Sequence, residues 1–334
     1  MKKTFNWALA GTGNIVKKFL TGLKYCEGIG SISVVSRDRE KAASFAAQYG
    51  LDHSFGSYQE MLADSSVDIV YIGTPHSTHR DYAVMALEAG KAVLCEKPVC
   101  MNAGEMEEIM AASSWHNAFF MEAMWTRFLP AIVKVRQWLR DGMIGDVTMM
   151  EANFGFVVPW VPEGRLLNPN LGGGALLDAG VYPLSLASMV FGGQAPEKVL
   201  GLLSFGETKV DEQFSGLISY GNNRTASVAA AIRTRMVNDA WIYGTLGKIH
   251  IPDFVFGRSA VLVSEGKFTE QFSPEFLSNG YNYEALEVMK RVAEGKRESP
   301  VMPQGESLLI TRIMDIIRKE FDFVYPFERP RSPA

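Results

Sequence analysis

The chain begins with an apolar run, a glycine turn and a helical repeat, and then alternates strand-like and helix-like segments. Residues 5–10 are apolar and stop at Gly11. Gly11-Thr12-Gly13 leads into residues 14–23, where Ile15, Phe19 and Leu23 recur every fourth position, the spacing of one helix face. A β-branched run at 32–35 comes next. Asp38 then opens a helical stretch to Tyr49 that Gly50 closes. Residues 67–72 have the continuous apolar pattern of a buried strand, 78–89 are helical up to Gly90, and 92–95, 103–114 and 118–121 continue the alternation as strand, helix and strand. Such alternation over roughly the first 120 residues predicts an α/β fold with a parallel, doubly wound sheet.

The pattern then changes. One helix is expected at 130–141, ended by Gly142, and a second at 174–190. Around them lie strand-like runs at 147–156, 198–205, 213–220, 226–232, 240–243 and 260–263, several joined by short polar turns such as Gly221-Asn222-Asn223. This predicts a large, mainly antiparallel sheet. Helices at 283–294 and 306–320 close the chain. We therefore expect a dinucleotide-binding domain over 1–122, a substrate and oligomerisation domain over 123–325, and a proline-rich tail over 326–334 that forms a surface strap or is disordered.

Gly11-Thr12-Gly13-Asn14-Ile15 occupies the turn where a pyrophosphate meets backbone amides and the positive end of a helix. Val16 stands in the third-glycine slot, so the fingerprint is incomplete. After the second strand, where an acidic residue would hold a ribose 2′-hydroxyl, the chain has Ser36 and Arg37, with Lys41 one turn on. A hydroxyl and a guanidinium suit a 2′-phosphate, which favours NADP(H) over NAD(H). Asp38 either caps the following helix or turns inward toward a diol. The loop Thr74-Pro75-His76-Ser77-Thr78-His79 follows a later strand, at the carboxyl edge where ligands bind in such sheets. Its HxxH has no cysteine or carboxylate pair at ligand spacing, so no metal is expected; His79 could instead cap or pack the helix start.

Glu96-Lys97-Pro98 ends the fifth expected strand. There Lys97 would be partly desolvated, with Glu96 able to orient its amine. In the second half, Gly172-Gly173-Gly174 precedes a helix on which Asp178 and Tyr182 stand four residues apart on one face. A tyrosine is a poor acid–base at its ordinary pKa of about 10, and a nearby ammonium favours its phenolate. Lys97 would be that ammonium if the halves close over a nicotinamide. Tyr182 would then move the proton that accompanies hydride transfer, and Asp178 would hold substrate hydroxyls or orient Lys97.

Taken in order, these motifs resemble the Gfo/Idh/MocA family of nicotinamide-dependent oxidoreductases, whose pattern is a GxGxxA-type loop, then EKP, then GGGxxxDxxxH. Tyr182 stands where many members have histidine. That tyrosine, together with Glu122-Ala123-Met124-Trp125-Thr126-Arg127-Phe128, resembles the subgroup of dimeric dihydrodiol dehydrogenases and NADP-dependent D-xylose dehydrogenases. The resemblance implies a Rossmann domain followed by an α/β domain whose open sheet often forms a dimer face. It implies Lys97 and Tyr182 as the catalytic pair with Asp178 in support, and Ser36, Arg37 and Lys41 at the 2′-phosphate. Thr74 to His79, Glu96 and Lys97 would lie at the nicotinamide half, with Arg127 and Tyr283 near the cofactor and Trp125 lining the site. Phe154, Trp160, Arg165 and Trp241 are further candidates for the substrate pocket, or simply pack.

Composition narrows the partners. A net charge of −4 gives no basic surface for nucleic acid. No stretch approaches 18 consecutive apolar residues, so no membrane span is expected. Three scattered cysteines, Cys26, Cys95 and Cys100, form no disulfide framework, and the short basic start Met1-Lys2-Lys3-Thr4 does not read as a secretory signal, so a cytoplasmic protein is expected. The expected function is NADP(H)-dependent hydride transfer to or from a sugar, polyol or dihydrodiol, by a homodimer or higher homo-oligomer. An NAD-recycling glycosidase and a non-catalytic nucleotide sensor are the alternatives.

Overall fold

A computed structural model of the chain describes residues 4–264 and 268–328. In chain order the elements begin β1 (Phe5–Ala10), α1 (Asn14–Leu23), β2 (Ile29–Val35), α2 (Arg39–Tyr49), β3 (His53–Phe55), α3 (Tyr58–Ala63) and β4 (Ile69–Ile72). They continue through α4 (His79–Glu88), β5 (Ala92–Glu96), α5 (Ala103–Trp115), β6 (Phe120–Ala123), α6 (Pro130–Arg140), β7 (Val147–Gly155) and α7 (Val181–Val190). The strands β8 (Lys198–Phe205), β9 (Asp211–Ser219), β10 (Thr225–Ala231), β11 (Ala240–Gly244), β12 (Gly247–Ile251), β13 (Ala260–Ser264) and β14 (Phe268–Phe272) follow, and α8 (Tyr281–Ala293) and α9 (Gln304–Lys319) complete the fold.

Two compact units divide the chain. Residues 1–100, 104–125 and 276–307 make the first; 101–103, 126–275 and 308–334 make the second. The first holds a six-stranded sheet in the order β3-β2-β1-β4-β5-β6, every pairing parallel. All residues of β4 and β5 are buried, as a sheet covered on both faces requires. Phe19 of α1 stacks on Tyr71 of β4 at 3.7 Å between ring centroids. Helix α8 joins this unit by close approach to α1 at Gly22, where a Cβ would lie 2.8 Å from the Asn282 amide nitrogen.

The second unit is built on an eight-stranded sheet, β14-β13-β12-β11-β7-β10-β9-β8, antiparallel except where β7 and β10 pair in parallel. Alternate residues separate its faces. Met150, Ala152 and Phe154 of β7, Phe214 and Ile218 of β9, and Ala226, Val228 and Ala230 of β10 are buried beneath the helices of this unit. On the opposite face Leu200, Leu202 and Leu217 are 52%, 69% and 59% exposed.

Element boundaries depart from the sequence pattern for local reasons. The strand expected at 67–72 starts at Ile69, because the Val67 amide closes a turn on the Asp64 carbonyl. The strand expected at 118–121 moves to Phe120–Ala123, because the Ala118 amide bonds back to Ser113 at the end of α5. Strands β3, β12 and β14 and helix α3 have no counterpart in the pattern read from the sequence. The helix expected from residue 174 starts differently: Gly174 has φ +129° and is not helical, Leu176–Gly180 form a π-helical turn, and α7 proper begins at Val181.

The stretch Pro169–Val190 is long and apolar enough to cross a bilayer by length and composition, but 89% of its most apolar window is buried inside the fold, as a core helix would be. Of the expected tail, residues 329–334 lie outside the described residues. The preceding segment is tied down, since Tyr325 is fully buried and Glu328 accepts from Arg318 at 2.8 Å and from Asn102 at 2.8 Å.

Candidate functional site

The glycine turn of the first unit is shaped for an anion. Gly11 has φ +109°, a conformation a side chain resists, and a Cβ there would lie 3.1 Å from the Gly73 carbonyl oxygen. At Gly13 a Cβ would meet nothing within 4 Å, so open space lies beside the start of α1. That helix has no side-chain cap at Gly13 and no acidic residue in its first turn. An uncapped helix N-terminus facing open space fits the pyrophosphate of a dinucleotide. Thr12, Asn14 and Ile15 lie along the same turn, none of them fully buried. Val16, in the third-glycine slot, is buried against Gly73, where a Cβ would come within 2.7 Å of its Cγ2.

At the end of β2, Asp38 is the N-cap of α2, its side chain accepting from the Lys41 amide at 3.0 Å. The Ser36 hydroxyl accepts from the Asp38 amide at 3.3 Å. Arg37 and Lys41 are exposed. In the loop after β4, the Thr78 hydroxyl donates to Thr74 at 2.9 Å, while His76 and His79 are buried with rings 5.7 Å apart. The two ring nitrogens of His79 each lie 2.9 Å from a carbonyl oxygen, of Pro98 and of Thr74. Both partners are pure acceptors, so the ring donates to both only when doubly protonated. His79 thus ties the Thr74-Pro75 loop to the Lys97-Pro98 loop, a packing role within its unit. Among the described residues no group of three potential metal ligands is gathered.

Lys97 follows β5 directly. It is half-buried, and its backbone N–H donates to Glu96 Oε2 at 3.2 Å. Glu96 itself is buried and accepts from the Tyr71 hydroxyl at 2.6 Å. Burial, and then the Glu96 carboxylate, push the Tyr71 phenol well above its usual range. A second carboxyl, Glu284 of α8, is fully buried with neither oxygen hydrogen-bonded. Burial, and then Glu96, hold its pKa well above the carboxylate range, which favours its neutral form. Of the candidates near the cofactor, Tyr283 sits on the half-exposed side of α8 and accepts from the Leu277 amide at 3.2 Å. The neighbouring Tyr281 is buried instead and stacks on Trp125 at 4.7 Å. Neither Glu284 nor Tyr281 stands out in the sequence, although their i, i+3 spacing on α8 marks one face.

In the second unit Asp178 and Tyr182 are 4% and 8% exposed, so neither is a surface group. They bracket the junction of the π-helical turn with α7, an irregularity that recurs at functional sites. Arg165 reaches from the preceding loop to Asp178, Nη1 to Oδ1 at 2.7 Å. The Phe154 ring stands edge-on to Tyr182 at 5.4 Å. These four candidates are brought together. Arg127 is also buried, and it grips α7 one turn beyond Tyr182, donating to the Ser185 hydroxyl at 2.9 Å and the Ser185 carbonyl at 2.7 Å.

The two remaining aromatic candidates have other neighbours. Trp160 is 44% exposed beneath the Arg233 guanidinium. Trp241 pairs in register with Glu151, which puts it on the open sheet face opposite Phe154, where it stacks on His250 at 4.0 Å. Period-two alternation along β7 explains the difference, and it removes Trp241 from any pocket on the Tyr182 side.

Similarity to known proteins gives the family. A model of the oxidoreductase family with an NAD-binding Rossmann fold matches residues 5–123, and the GFO/IDH/MocA C-terminal domain matches residues 132–250. A trans-1,2-dihydrobenzene-1,2-diol dehydrogenase from Xenopus laevis is 37% identical over 328 residues, covering 96% of this chain and 99% of that protein. Among solved structures, a levoglucosan dehydrogenase in complex with NADH and levoglucosan superposes with a TM-score of 0.84 at 20% identity, covering 95% of this chain and 97% of that one. A 3-ketoreductase from Actinomadura kijaniata, in complex with NADP and TDP-benzene, gives a TM-score of 0.82 at 23% identity, with 95% and 98% covered. Matched in both halves and over a third identical to a full-length relative, the chain belongs to the GFO/IDH/MocA family and is a nicotinamide-dependent oxidoreductase.

Proposed function

We propose that the protein is an NADP(H)-dependent dehydrogenase or reductase acting on the CH–OH group of a dihydrodiol, sugar or related polyol. The observation that carries this reading is the buried Tyr182 beside Asp178 on an irregular turn, in a chain whose other unit presents Lys97 at a strand end next to a dinucleotide-type glycine turn. The substrate class is supported by the dihydrodiol dehydrogenase name of the Xenopus laevis relative and by the sugar-linked neighbours. Preference for NADP is supported by the second strand end. Asp38 is engaged as a helix cap, which leaves Ser36, Arg37 and Lys41 to meet a 2′-phosphate.

When bound, the nicotinamide supplies or accepts the hydride. Tyr182 exchanges the hydroxyl proton: in the oxidative direction it takes the proton as the C–H bond gives up its hydride, and in the reductive direction it returns it. Lys97 supplies the positive charge that favours anionic oxygen during the transfer. Asp178, held by Arg165, accepts from substrate hydroxyls. Gly11, Thr12, Gly13, Asn14 and Ile15 hold the pyrophosphate, and Thr74, Pro75, His76, His79 and Glu96 shape the nicotinamide half.

Self-association through the face that carries Leu200, Leu202 and Leu217 is part of this reading, since these exposed leucines would be buried against a second copy. A reducing, cytoplasmic setting is part of this reading, since Cys26, Cys95 and Cys100 are buried and none is joined in a disulfide among the described residues.

The test is a panel of dihydrodiols, aldoses and dicarbonyls assayed in parallel with NADP(H) and NAD(H), followed at the reduced-nicotinamide absorbance band. The reading expects net cofactor turnover with NADP(H) favoured. Sugar release from glycosides without net reduction, or tight NADPH binding with no turnover on any panel member, contradicts it.

A further inference from the structure

The triple glycine ahead of Asp178 and Tyr182 is clamped from two sides within the second unit. Gly173 lies against the backbone, so that a Cβ would fall 2.6 Å from the Leu166 carbonyl oxygen, and that carbonyl also accepts from the Gly174 amide at 3.0 Å. The Tyr325 hydroxyl, on a fully buried side chain, donates to the Gly173 carbonyl at 2.7 Å. On the other side stands Asp211, the first residue of β9, also fully buried. Its Oδ2 accepts from the Leu176 amide at 2.6 Å, and a Cβ on Gly174 would fall 2.1 Å from its Oδ1. Glycine is therefore the residue that lets the chain pass between Tyr325 and Asp211 and still enter the π-helical turn.

Resting on the reading of Tyr182 as the proton-transfer group, we propose that Asp211 is a positioning residue: by accepting the first amide of the Leu176–Gly180 turn, it sets the rotation of that turn and so the aim of Asp178 and Tyr182. Asp178 is two residues and Tyr182 six residues beyond the anchored amide. A side-chain acceptor at a helix start fixes both the first turn and its dipole. Burial pushes the Asp211 carboxyl up to about 7, against the opposing pull of the Leu176 and Ala175 amides and of Arg318. A group whose burial disfavours its charge this strongly is retained at a cost that packing alone does not require. Arg318 is fixed by Asp315 at 2.9 Å and Glu328 at 2.8 Å, and it lies 5.4 Å from the Tyr325 ring, so the clamp is braced by α9 and the segment after it.

The experiment compares Asp211→Ala, Asp211→Asn and Tyr325→Phe with the parent enzyme, normalising each kcat to folded enzyme by titration with NADPH. Asp211→Ala is expected to lower kcat about tenfold or more with KM and NADPH binding within about twofold, because misaimed catalytic groups lose rate before they lose binding. Asp211→Asn, which keeps an acceptor oxygen, is expected to recover kcat to within about threefold of the parent. Tyr325→Phe, which removes only a hydroxyl from the same loop, should show a smaller fall of the same kind, and it decides the matter if Asp211→Ala cannot be obtained folded. Parent-like kcat in Asp211→Ala, no recovery in Asp211→Asn, or parent-like kcat in Tyr325→Phe when it must decide, overturns the proposal. Tyr182→Phe run alongside separates the two claims: an inactive Tyr182→Phe with a parent-like Asp211→Ala removes this inference alone, whereas a fully active Tyr182→Phe removes the functional reading and this inference with it.

Discussion

Tyr71 donates its hydroxyl at 2.6 Å to Glu96, the residue before Lys97, in the core of the first unit. Glu284, whose carboxyl burial and Glu96 push well above the carboxylate range, is the other acidic group acting on this pair. Its folded-state pKa lies above the unfolded value of about 4.5, so between the two the folded chain holds a proton that the unfolded chain has lost. The resulting stability is complete below about pH 4.5 and drains away as pH rises toward the folded value, at up to about 1.4 kcal/mol per pH unit. Glu284→Gln has no such ionisation. Urea unfolding at pH 5, 6, 7 and 8 should show the variant gaining on the parent at each step, and a constant difference would count against a neutral Glu284.

Cofactor choice should depend on Arg37. Removing its guanidinium takes away charge-assisted hydrogen bonds that only a 2′-phosphate can accept. Arg37→Ala is expected to weaken NADPH binding about tenfold or more and to leave NADH binding unchanged, with the difference shrinking as salt rises. Fluorescence titration of both cofactors at two ionic strengths measures this. Equal losses for NADPH and NADH would mean that Arg37 does not meet the 2′ position.

The two glycines of the turn serve different ends. Gly11→Ala forces a side chain into φ +109° and against the Gly73 carbonyl, and should cost about 1–3 kcal/mol of stability. Gly13→Asp meets open space and adds a favourable helix cap, so stability should hold or rise. The same carboxylate would repel a pyrophosphate, and dinucleotide affinity should fall about a hundredfold. Thermal melts and titrations on both variants check the contrast, and unchanged affinity in Gly13→Asp would place the pyrophosphate elsewhere.

The open sheet face should govern assembly. Leu202 is 69% exposed and lies across from Ser215, with Leu200 across from Leu217 on the same face. Leu202→Glu with Leu217→Glu puts like charges on any symmetric contact through this face. Sedimentation velocity is expected to show a dimer for the parent and a folded monomer for the double variant. A monomeric parent, or an unaltered dimer, would contradict a contact through these strands.

Much of the first unit was legible because β4, β5 and β6 are buried throughout and α2 carries its own start and stop in Asp38 and Gly50. The edges were less so. His53–Phe55 is three residues long, too short to show a period, and β12 and β14 lie among turns that break the alternation. At the site, glycines, Asp178 and Tyr182 stand close in sequence and their order was readable. Asp211 was not, because it lies 35 positions from the Leu176 amide it accepts from, and nothing in a β-strand pattern distinguishes an aspartate turned into the core from one turned out. Glu284 was hidden in the same way, as an acid within an ordinary amphipathic helix. Arg165 was readable as a loop candidate for the substrate pocket, but its ion pair with Asp178 is a contact between a loop and a helix that no spacing announces.

We propose above that Tyr182 moves the proton coupled to hydride transfer. Single-turnover absorbance at the reduced-nicotinamide band, with Tyr182→Phe, Lys97→Met and the double variant each first shown to bind NADPH normally, tests it most directly. The hydride-transfer rate is expected to fall about 10²- to 10⁴-fold in Tyr182→Phe, with the double variant little worse than Tyr182→Phe alone. Hydride transfer at the parent rate in Tyr182→Phe would contradict it.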